Sequence, residues 1–414
     1  MRDRLEPGHR PGALPGKPQA VALIALAQVL ALALWFAATA VAPDLVAQKG
    51  LEPTDLSRLA LAVQLGFVAG SLLSAFLGLA DRFEPRALFA AGALLGALAN
   101  AVFLVVEPAS AAALASRALV GAAMAAVYPV GIKMAASWAK GDAGLLVGLL
   151  VGALTLGSAA PHGFAAFGGV DWRLGVGAAS LCAVSAAGVI AFAKPGPGWT
   201  QAGRFKPVMA LALVRSPAPR LATLGYLGHM WELYAGWAWI GVWFSMSFSA
   251  QIFDSAIDFW AKLATFGVIG VGALGCVAAG GLADRFGRTA VTMAAMGVSG
   301  LMCLAFGLVY GGPVIWVLLV GAIWGVTVIA DSAQFSAAVA ELSPKDRVGA
   351  FLTLQTALGF ALTAVSIRLL PVWAEMVGWR WALAPLAIGP ALGVLAMARL
   401  RARPEAVQLA GGRR

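Results

Sequence analysis

The chain has 414 residues, of which 61% are hydrophobic and only 12% charged, and its formal net charge is +10. A composition this apolar excludes an ordinary soluble domain and indicates a protein whose solvent is lipid. Most of the 29 lysines and arginines lie in a few loops and in the two tails. The basic balance therefore does not require a nucleic-acid partner.

The first residues, 1–19, are charged and rich in proline and glycine, which predicts a disordered N-terminal tail. Twelve apolar segments follow, and we place them at 20–42, 57–80, 87–106, 111–136, 143–167, 173–193, 220–248, 258–283, 289–310, 314–338, 347–370 and 380–400. Each is long enough to cross a bilayer as a helix, and none has the alternation of a barrel strand. We therefore predict an all-α membrane protein.

The segments divide into two bundles of six helices. The proline-rich stretch 194–219 is the predicted linker between bundles at 20–193 and 220–400, and 401–414 is the predicted C-terminal tail. Two charged loops, 77–86 and 280–288, have nearly the same sequence, and their aspartates, Asp81 and Asp284, are 203 residues apart. Other landmarks recur at almost the same offset, which indicates an internal repeat.

The loop 280–288, Gly-Gly-Leu-Ala-Asp-Arg-Phe-Gly-Arg, resembles the signature that the major facilitator superfamily carries between helices eight and nine. Its partner at 77–86 resembles the same signature between helices two and three, with Leu77 at the leading glycine and Glu84-Pro85 at the internal Gly-Arg. The resemblance implies two parallel six-helix bundles around a central pathway. It also implies that these loops latch the bundles in the outward-facing state through Asp81, Arg82, Asp284, Arg285 and Arg288. The alternative is a charged loop that only sets topology.

Helix seven has the most informative polar residues. His229 and Glu232 are three residues apart and share one face, and the same stripe continues through Trp239. Glu232 lies about 17 Å from the inner end of the helix at 1.5 Å per residue. Ionisable groups at that depth are costly and usually functional, so we predict a proton-coupling or substrate-binding role. The alternative is a structural hydrogen bond between helices.

Helix four begins with Arg117 in the pattern Arg-x-x-x-Gly, which resembles the superfamily's arginine signature in this helix, and Tyr128 follows on almost the same face. Arg117 is a candidate for binding an anion or tuning the proton site, and the alternative is an arginine that reaches the outer interface. The stretch 128–138 resembles the cyanate and nitrate/nitrite-type branches of the superfamily.

Helices one and ten complete the predicted cavity, because helices one, four, seven and ten line the pathway in the superfamily. Helix one presents Gln28 and Trp35 on one stripe, and helix ten presents Asp331 and Gln334. A plain interfacial role for Asp331 and a packing role for the tryptophans are the alternatives.

The distribution of lysine and arginine predicts that both termini are cytosolic. The alanine- and glycine-rich helices suggest a bacterial inner membrane. The sequence contains no phosphate-binding loop, no nucleophilic triad and no metal-ligand spacing, which predicts neither an enzyme nor a bound cofactor or metal. We expect a monomer in the lipid bilayer whose partners are a small-molecule substrate and a proton, with no nucleic acid.

Three functions remain open from the sequence. The first is a proton-coupled secondary transporter of a small organic or inorganic anion. The second is an efflux antiporter for lipophilic or cationic compounds, which Glu232, Asp331 and the tryptophans would serve by charge and cation–π contact. The third is a membrane receptor or assembly factor that does not transport.

Overall fold

The computed structural model describes residues 16–140, 142–169, 171–200, 207–250, 256–345 and 347–414. All the regular structure in these ranges is helical. Ten of the described helical segments are long and apolar enough to cross a membrane. Two more spans complete the predicted twelve: the broken segment that begins at Lys17, and the helix Pro217–Ser249, whose His, Glu and Trp residues lower its hydropathy. The predicted all-α membrane fold of twelve helices is confirmed.

The first half contains spans 1 to 6. These are Lys17–Leu32 with Ala37–Ala40 and Ala42–Lys49 (span 1), Pro53–Leu77 (span 2), Pro85–Val102 (span 3), Ala111–Met124 with Tyr128–Ala136 (span 4), Ala143–Phe167 (span 5) and Trp172–Ile190 (span 6).

The second half contains spans 7 to 12. These are Pro217–Ser249 (span 7), Ile257–Phe286 (span 8), Arg288–Val309 (span 9), Val314–Val328 with Ser332–Leu342 (span 10), Val348–Val377 (span 11) and Ile388–Arg401 (span 12), the last preceded by the turns Trp379–Trp381 and Ala384–Ala387. We call the end of the molecule at which span 1 begins and span 12 finishes the terminal end, and the opposite end the distal end.

Parts of the predicted linker and of the C-terminal tail form regular structure. Residues 1–15 of the predicted disordered tail lie outside the described ranges. The predicted linker contains the helix Pro207–Arg215, which packs against span 11. Beyond span 12, Pro404–Gly412 forms short turns whose Ala406 and Leu409 are buried.

Local sequence sets where several spans begin. Glu52 and Asp55 form a capping box around the first turn of span 2. The side chains of Glu84, Ser110 and Asp171 each accept a hydrogen bond from a backbone N–H in the first turn of spans 3, 4 and 6. These acceptors satisfy amides that would otherwise have no partner at a helix N-terminus.

Spans 1, 4 and 10 are interrupted near their middles, at 33–36, 125–127 and 329–331. The breaks in spans 4 and 10 are 204 residues apart, so they occupy equivalent places in the two halves. Interrupted helices expose backbone dipoles at mid-membrane depth, and this is tolerated where the backbone lies inside protein or beside a cavity. The breaks therefore mark the inner faces of the halves.

Span 5 of the first half packs along span 8 of the second. Gly144, Gly148 and Gly152 occur at every fourth position of span 5, so they lie on one face. A Cβ added at Gly148 would lie 2.8 Å from the carbonyl oxygen of Cys276, and one at Gly152 would lie 3.3 Å from that of Ala273. The small residues thus let the two helices approach closely, as small-residue interfaces do in membranes.

Candidate functional site

Glu232 lies near the middle of span 7 and is only 1% exposed. Its carboxylate accepts hydrogen bonds from three side chains of the same half: Trp324 Nε1 at 2.8 Å, Ser299 Oγ at 2.9 Å and Cys303 Sγ at 3.1 Å. Among the described residues no lysine, arginine or histidine pairs with it. Burial without a counter-charge disfavours the ionised carboxylate, whereas three hydrogen-bond donors favour it, and this balance suits a group that exchanges a proton.

His229 lies one turn before Glu232 and contacts span 10. Its Nδ1 is 2.8 Å from Oδ1 of Asp331, and both side chains are 1% exposed. Asp331 stands at the break of span 10, directly before the helix Ser332–Leu342. The imidazole lies beside the rings of Tyr226 and Phe335, and its Nε2 has no partner in the part of the chain that the structure describes. The structure thus brings His229 and Asp331 together, next to Glu232.

Gln28 is the counterpart of Glu232 in the repeat, since the two positions are 204 residues apart. Its Nε2 donates to the carbonyl of Leu150 in span 5 at 3.0 Å, and its Oε1 has no partner among the described atoms. Both amide atoms of the fully buried Gln355 on span 11 are also without a described partner. Unsatisfied buried polar atoms are uncommon in proteins, so these atoms are candidates for contacts with water or with a solute.

Aromatic rings fill the seam between the halves at mid-depth. We call this group the central aromatic cluster; it consists of Trp35, Phe36, Phe67, Tyr234, Trp237 and Phe360. The rings of Phe67 and Phe360, from opposite halves, are 4.5 Å apart, and those of Trp35 and Tyr234 are 5.9 Å apart. Tyr128, at the break of span 4, packs against the same core as Tyr226 and Tyr234.

Trp239 lies nearer the distal end. Its Nε1 donates to the carbonyl of Ile367 in span 11 at 3.0 Å, and its ring contacts that of Trp379. It also borders a cavity of about 10 Å³, together with Ala38 and Thr39 of span 1. The predicted residues Trp35 and Trp239 therefore both lie on the seam, but in different layers.

Arg117 is fully buried inside the first half. Its Nη2 donates to Oδ1 of Asn100 at 2.6 Å, and its guanidinium group lies 5.2 Å from the ring centre of Phe103. Asn100 in turn donates to the carbonyl of Val176 and the hydroxyl of Ser180 in span 6. Arg117 therefore contacts span 3 and is linked to span 6 through Asn100, and the structure does not bring it next to Glu232.

At the terminal end, Asp284 lies against the beginning of span 5. A Cβ at Gly144 would be 3.1 Å from its Oδ2. A carboxylate in this place faces the positive end of the helix dipole, which is a favourable interaction. Arg285 is exposed and lies over the ring of Phe286, and Arg82 is exposed as well. The side chain of Asp81 lies outside the described part of the structure.

Arg288 and Gln334 form one network in the second half. Arg288 donates to Glu341 from Nε at 2.8 Å and from Nη2 at 2.5 Å, and its Nη1 donates to Oε1 of Gln334 at 2.7 Å. Glu341 also accepts a bond from the backbone of Ala410 in the C-terminal turns. Gln334 is thus held by a loop arginine, and the network ties the end of span 10 to the turns beyond span 12.

Sequence reasoning missed several of these partners. Glu341 and Asn100 stand out by no motif, and the rings of Phe67 and Phe360 look like ordinary lipid-facing or packing residues in the sequence. A buried ion pair between Asp44 and Lys262, at the distal end, was also not foreseen. The polarity of Asn100 inside an apolar span was the one local signal that could have drawn attention to it.

Comparisons with known proteins agree with this architecture. The sequence model described as Major Facilitator Superfamily matches residues 24–332. A mutant of the nucleoside transporter NupG superimposes with a TM-score of 0.69 and 13% identity, over 92% of this chain and 99% of that one. A D-xylose-proton symporter does so with a TM-score of 0.70 and 15% identity, over 94% of this chain and 98% of that one. At these identities the likeness is one of fold. No curated protein sequence matches the chain significantly.

Proposed function

Because the chain belongs to the Major Facilitator Superfamily of secondary transporters, we propose that it carries a small solute across the membrane by alternating access and couples this movement to protons. The observation that carries the proposal is the setting of Glu232. It is buried at mid-depth, bonded to three donors and free of any described cation. The neighbouring pair of His229 and Asp331 provides a second place at which a proton can be held.

A group that couples transport to protons must change its protonation as the protein changes conformation. The donors to Glu232 come from spans 9 and 10, and the break of span 10 lies between Trp324 and Ser332. Bending at this break would alter the hydrogen bond from Trp324 to Glu232. The equilibrium between protonated and ionised Glu232 would change as a result. The proposed coupling therefore links one titratable carboxyl to one interrupted helix.

A small anion is the first candidate for the solute. The prediction of a small anion depends on Arg117, whose contacts lie within the first half. Two of its guanidinium nitrogens, Nε and Nη1, have no described partner and would be available to an anion in another conformation. Transport of an anion is the first candidate on that basis.

The central aromatic cluster favours the second candidate, a lipophilic or cationic solute. Six rings meet on the seam, with Glu232 and Asp331 behind them in the second half. Aromatic faces attract cations and stack on flat apolar molecules. An efflux antiporter for such compounds would bind them on this surface. An anion transporter would depend on Arg117, whereas an efflux antiporter would depend on rings such as that of Phe360.

Purified protein in liposomes tests these proposals. An imposed pH gradient should drive flux of a solute from a panel of small anions and lipophilic cationic dyes. Glu232→Gln should abolish gradient-driven flux but retain exchange of labelled for unlabelled solute, because exchange needs no proton cycle. The exposed Glu375→Gln is the matched control and should behave as the parent.

The panel also separates the candidates. Anion flux that is lost in Arg117→Ala supports the first candidate, and dye flux that survives Arg117→Ala but fails in Phe360→Ala supports the second. Equal gradient-driven flux in Glu232→Gln and the parent would contradict proton coupling through this residue. Absence of flux for every solute would favour a protein that does not transport.

We further propose that the terminal end faces the cytosol of a bacterial inner membrane and that the protein acts as a monomer. The excess of lysine and arginine in the loops at this end supports the orientation. Labelling of cysteines placed at Lys49 and at Lys140 from one side of the membrane tests it, because only one of the two should react.

A further inference from the structure

A buried ion pair joins the two halves at the distal end. Lys262, in the first turns of span 8, donates to both carboxylate oxygens of Asp44 at the end of span 1, at 2.9 and 2.8 Å. The two residues are 218 positions apart and only 3% and 5% exposed. An ion pair so deeply removed from solvent is costly to break, because the carboxylate of Asp44 would stay buried without its cationic partner.

The pair separates two spaces on the seam. On the outer side lies a vestibule of about 740 Å³, bordered by Asp44, Gln48, Asp171, Arg173, Ser249 and Asp258. On the inner side lies a cavity of about 10 Å³, bordered by Lys262, His162, Thr39, Ser245 and Thr265. Asp44 borders the vestibule and Lys262 borders the inner cavity, while Pro43 and Ser245 border both, so the ion pair lies at the boundary between the two spaces.

The inner cavity has several polar side chains in its lining and adjoins a second cavity nearer the centre. His162 is 3% exposed and its Nε2 has no partner among the described atoms, and the hydroxyl of Ser245 is likewise unpaired. Its volume matches about one water molecule. Thr39 and Val242 border both this cavity and the next one, which reaches Trp239. A row of small spaces therefore leads from the ion pair toward the central aromatic cluster.

We propose that Asp44 and Lys262 form the distal gate of the transport pathway. The gate closes when the carboxylate and the ammonium group join across the seam, and a solute can pass between the vestibule and the centre only when they part. This proposal rests on the proposed function, since alternating access requires a barrier at each end. At the opposite end of the molecule Asp284 contacts span 5, and the second barrier would lie there.

The chain supplies a matched control for this gate. Lys262 also pairs with Asp258 at 2.6 Å, but Asp258 lies one turn earlier on the same helix and is 40% exposed. The bond to Asp258 therefore neutralises Lys262 without holding the halves together. Asp44→Asn and Asp258→Asn each remove one carboxylate from the same lysine, and only the first removes the link across the seam.

The experiment measures accessibility and needs no knowledge of the solute. In a background with Cys182, Cys276 and Cys303 replaced by serine, Thr39→Cys is labelled with a small membrane-impermeant thiol reagent added from the side of the distal end. Asp44→Asn should raise the labelling rate about tenfold, equivalent to about 1.4 kcal/mol. Asp258→Asn should leave it within about twofold of the parent.

Two further variants protect the test from a folding defect. Asp44→Asn with Lys262→Met removes both charges and leaves none buried alone, and it should label as fast as Asp44→Asn. Asp44→Lys with Lys262→Asp restores the pair in reverse and should label nearly as slowly as the parent. Equal rates in the parent, Asp44→Asn and the double neutral variant would overturn the gate. Faster labelling in a protein that carries no solute would support the gate and contradict the proposed transport.

Discussion

The carboxylate of Asp284, on the last turn of span 8, faces Gly144 on the first turn of span 5, so that each half meets the other through one helix end. The glycine leaves room for this approach, because a Cβ at position 144 would lie 3.1 Å from Oδ2 of Asp284 and the carboxylate would have to shift by a few tenths of an ångström. The contact gives a physical basis to the latch that the repeated loop predicts, and its role in gating stays a prediction.

Gly144→Val should loosen the terminal end of the seam. The added side chain must push against the Asp284 carboxylate, and overpacking of this kind costs about 1–3 kcal/mol. Cys276 is 2% exposed and lies against Gly148 on the same interface, so its thiol is a native reporter. With Cys182 and Cys303 replaced by serine, Cys276 should react faster with a thiol reagent. Gly188→Val, at a position with nothing within 4 Å of an added Cβ, should leave the rate unchanged, and equal rates in both variants would contradict the prediction.

Arg288→Lys should release the turns at 404–412 from the body of the protein. Lysine keeps the charge but cannot make the two parallel bonds to Glu341 and the third bond to Gln334. Hydrogen bonds to charged groups contribute about 1.5–3 kcal/mol each, so Glu341 would hold the Ala410 amide less firmly. Hydrogen exchange at Ala410 should quicken. Arg285→Lys, at an exposed arginine of the same loop, should not alter it, and unchanged exchange in Arg288→Lys would refute the proposed link.

Phe360→Ala should destabilise the closed seam. The ring lies 4.5 Å from that of Phe67 and 5.0 Å from that of Tyr234, and it is 3% exposed. Truncating a buried phenylalanine costs about 3–5 kcal/mol because it leaves a cavity. The thermal unfolding midpoint in detergent should fall clearly. Phe192→Ala removes a ring that is 77% exposed and should change the midpoint little; similar losses in the two variants would show that the cluster adds no special stability.

The ion pair of Lys17 and Asp142 should stabilise the protein only while Asp142 is ionised. Partial burial acts to raise the pKa of the Asp142 carboxyl, but the hydrogen bond from Lys17 at 2.6 Å, with help from the backbone of Lys140, prevails and holds the pKa below its usual range. A lowered folded-state pKa gives stability that is present above the unfolded pKa of about 3.9 and is lost as the pH falls through the folded value.

Lys17→Gln should therefore lower the unfolding midpoint at pH 7, by an amount that reflects the ~0.2–1 kcal/mol of a partly exposed pair. The difference from the parent should shrink as the pH falls below about 4. Lys49→Gln, whose partner Glu107 is 61% exposed, should produce a smaller difference at pH 7. A Lys17→Gln effect that persists undiminished at low pH would mean that Lys17 acts through packing and not through Asp142.

Parts of the candidate site could be predicted from the sequence, because ionisable residues are costly inside a membrane and therefore rare in apolar spans. His229, Glu232 and Asp331 attract attention as rare ionisable residues within apolar spans, and the structure places them side by side. Arg117 attracts attention for the same reason, but the structure places it against Asn100 and Phe103. The sequence shows which ionisable residue needs a partner inside the membrane, but it does not show which neighbouring helix supplies that partner.

Hydropathy and the repeated loop by themselves determined the membrane fold, the two halves and the family. Each span must satisfy its own backbone hydrogen bonds in lipid, so its apolar sequence alone identifies it as a transmembrane helix. The tertiary structure alone decided that Lys262 meets Asp44, 218 positions away, that Arg288 meets Glu341, and that rings from four spans close the seam. These pairings depend on how each helix is rotated and how the two halves lie against each other. Rotation and docking are set by the packing of the whole bundle, and no local pattern of residues encodes them.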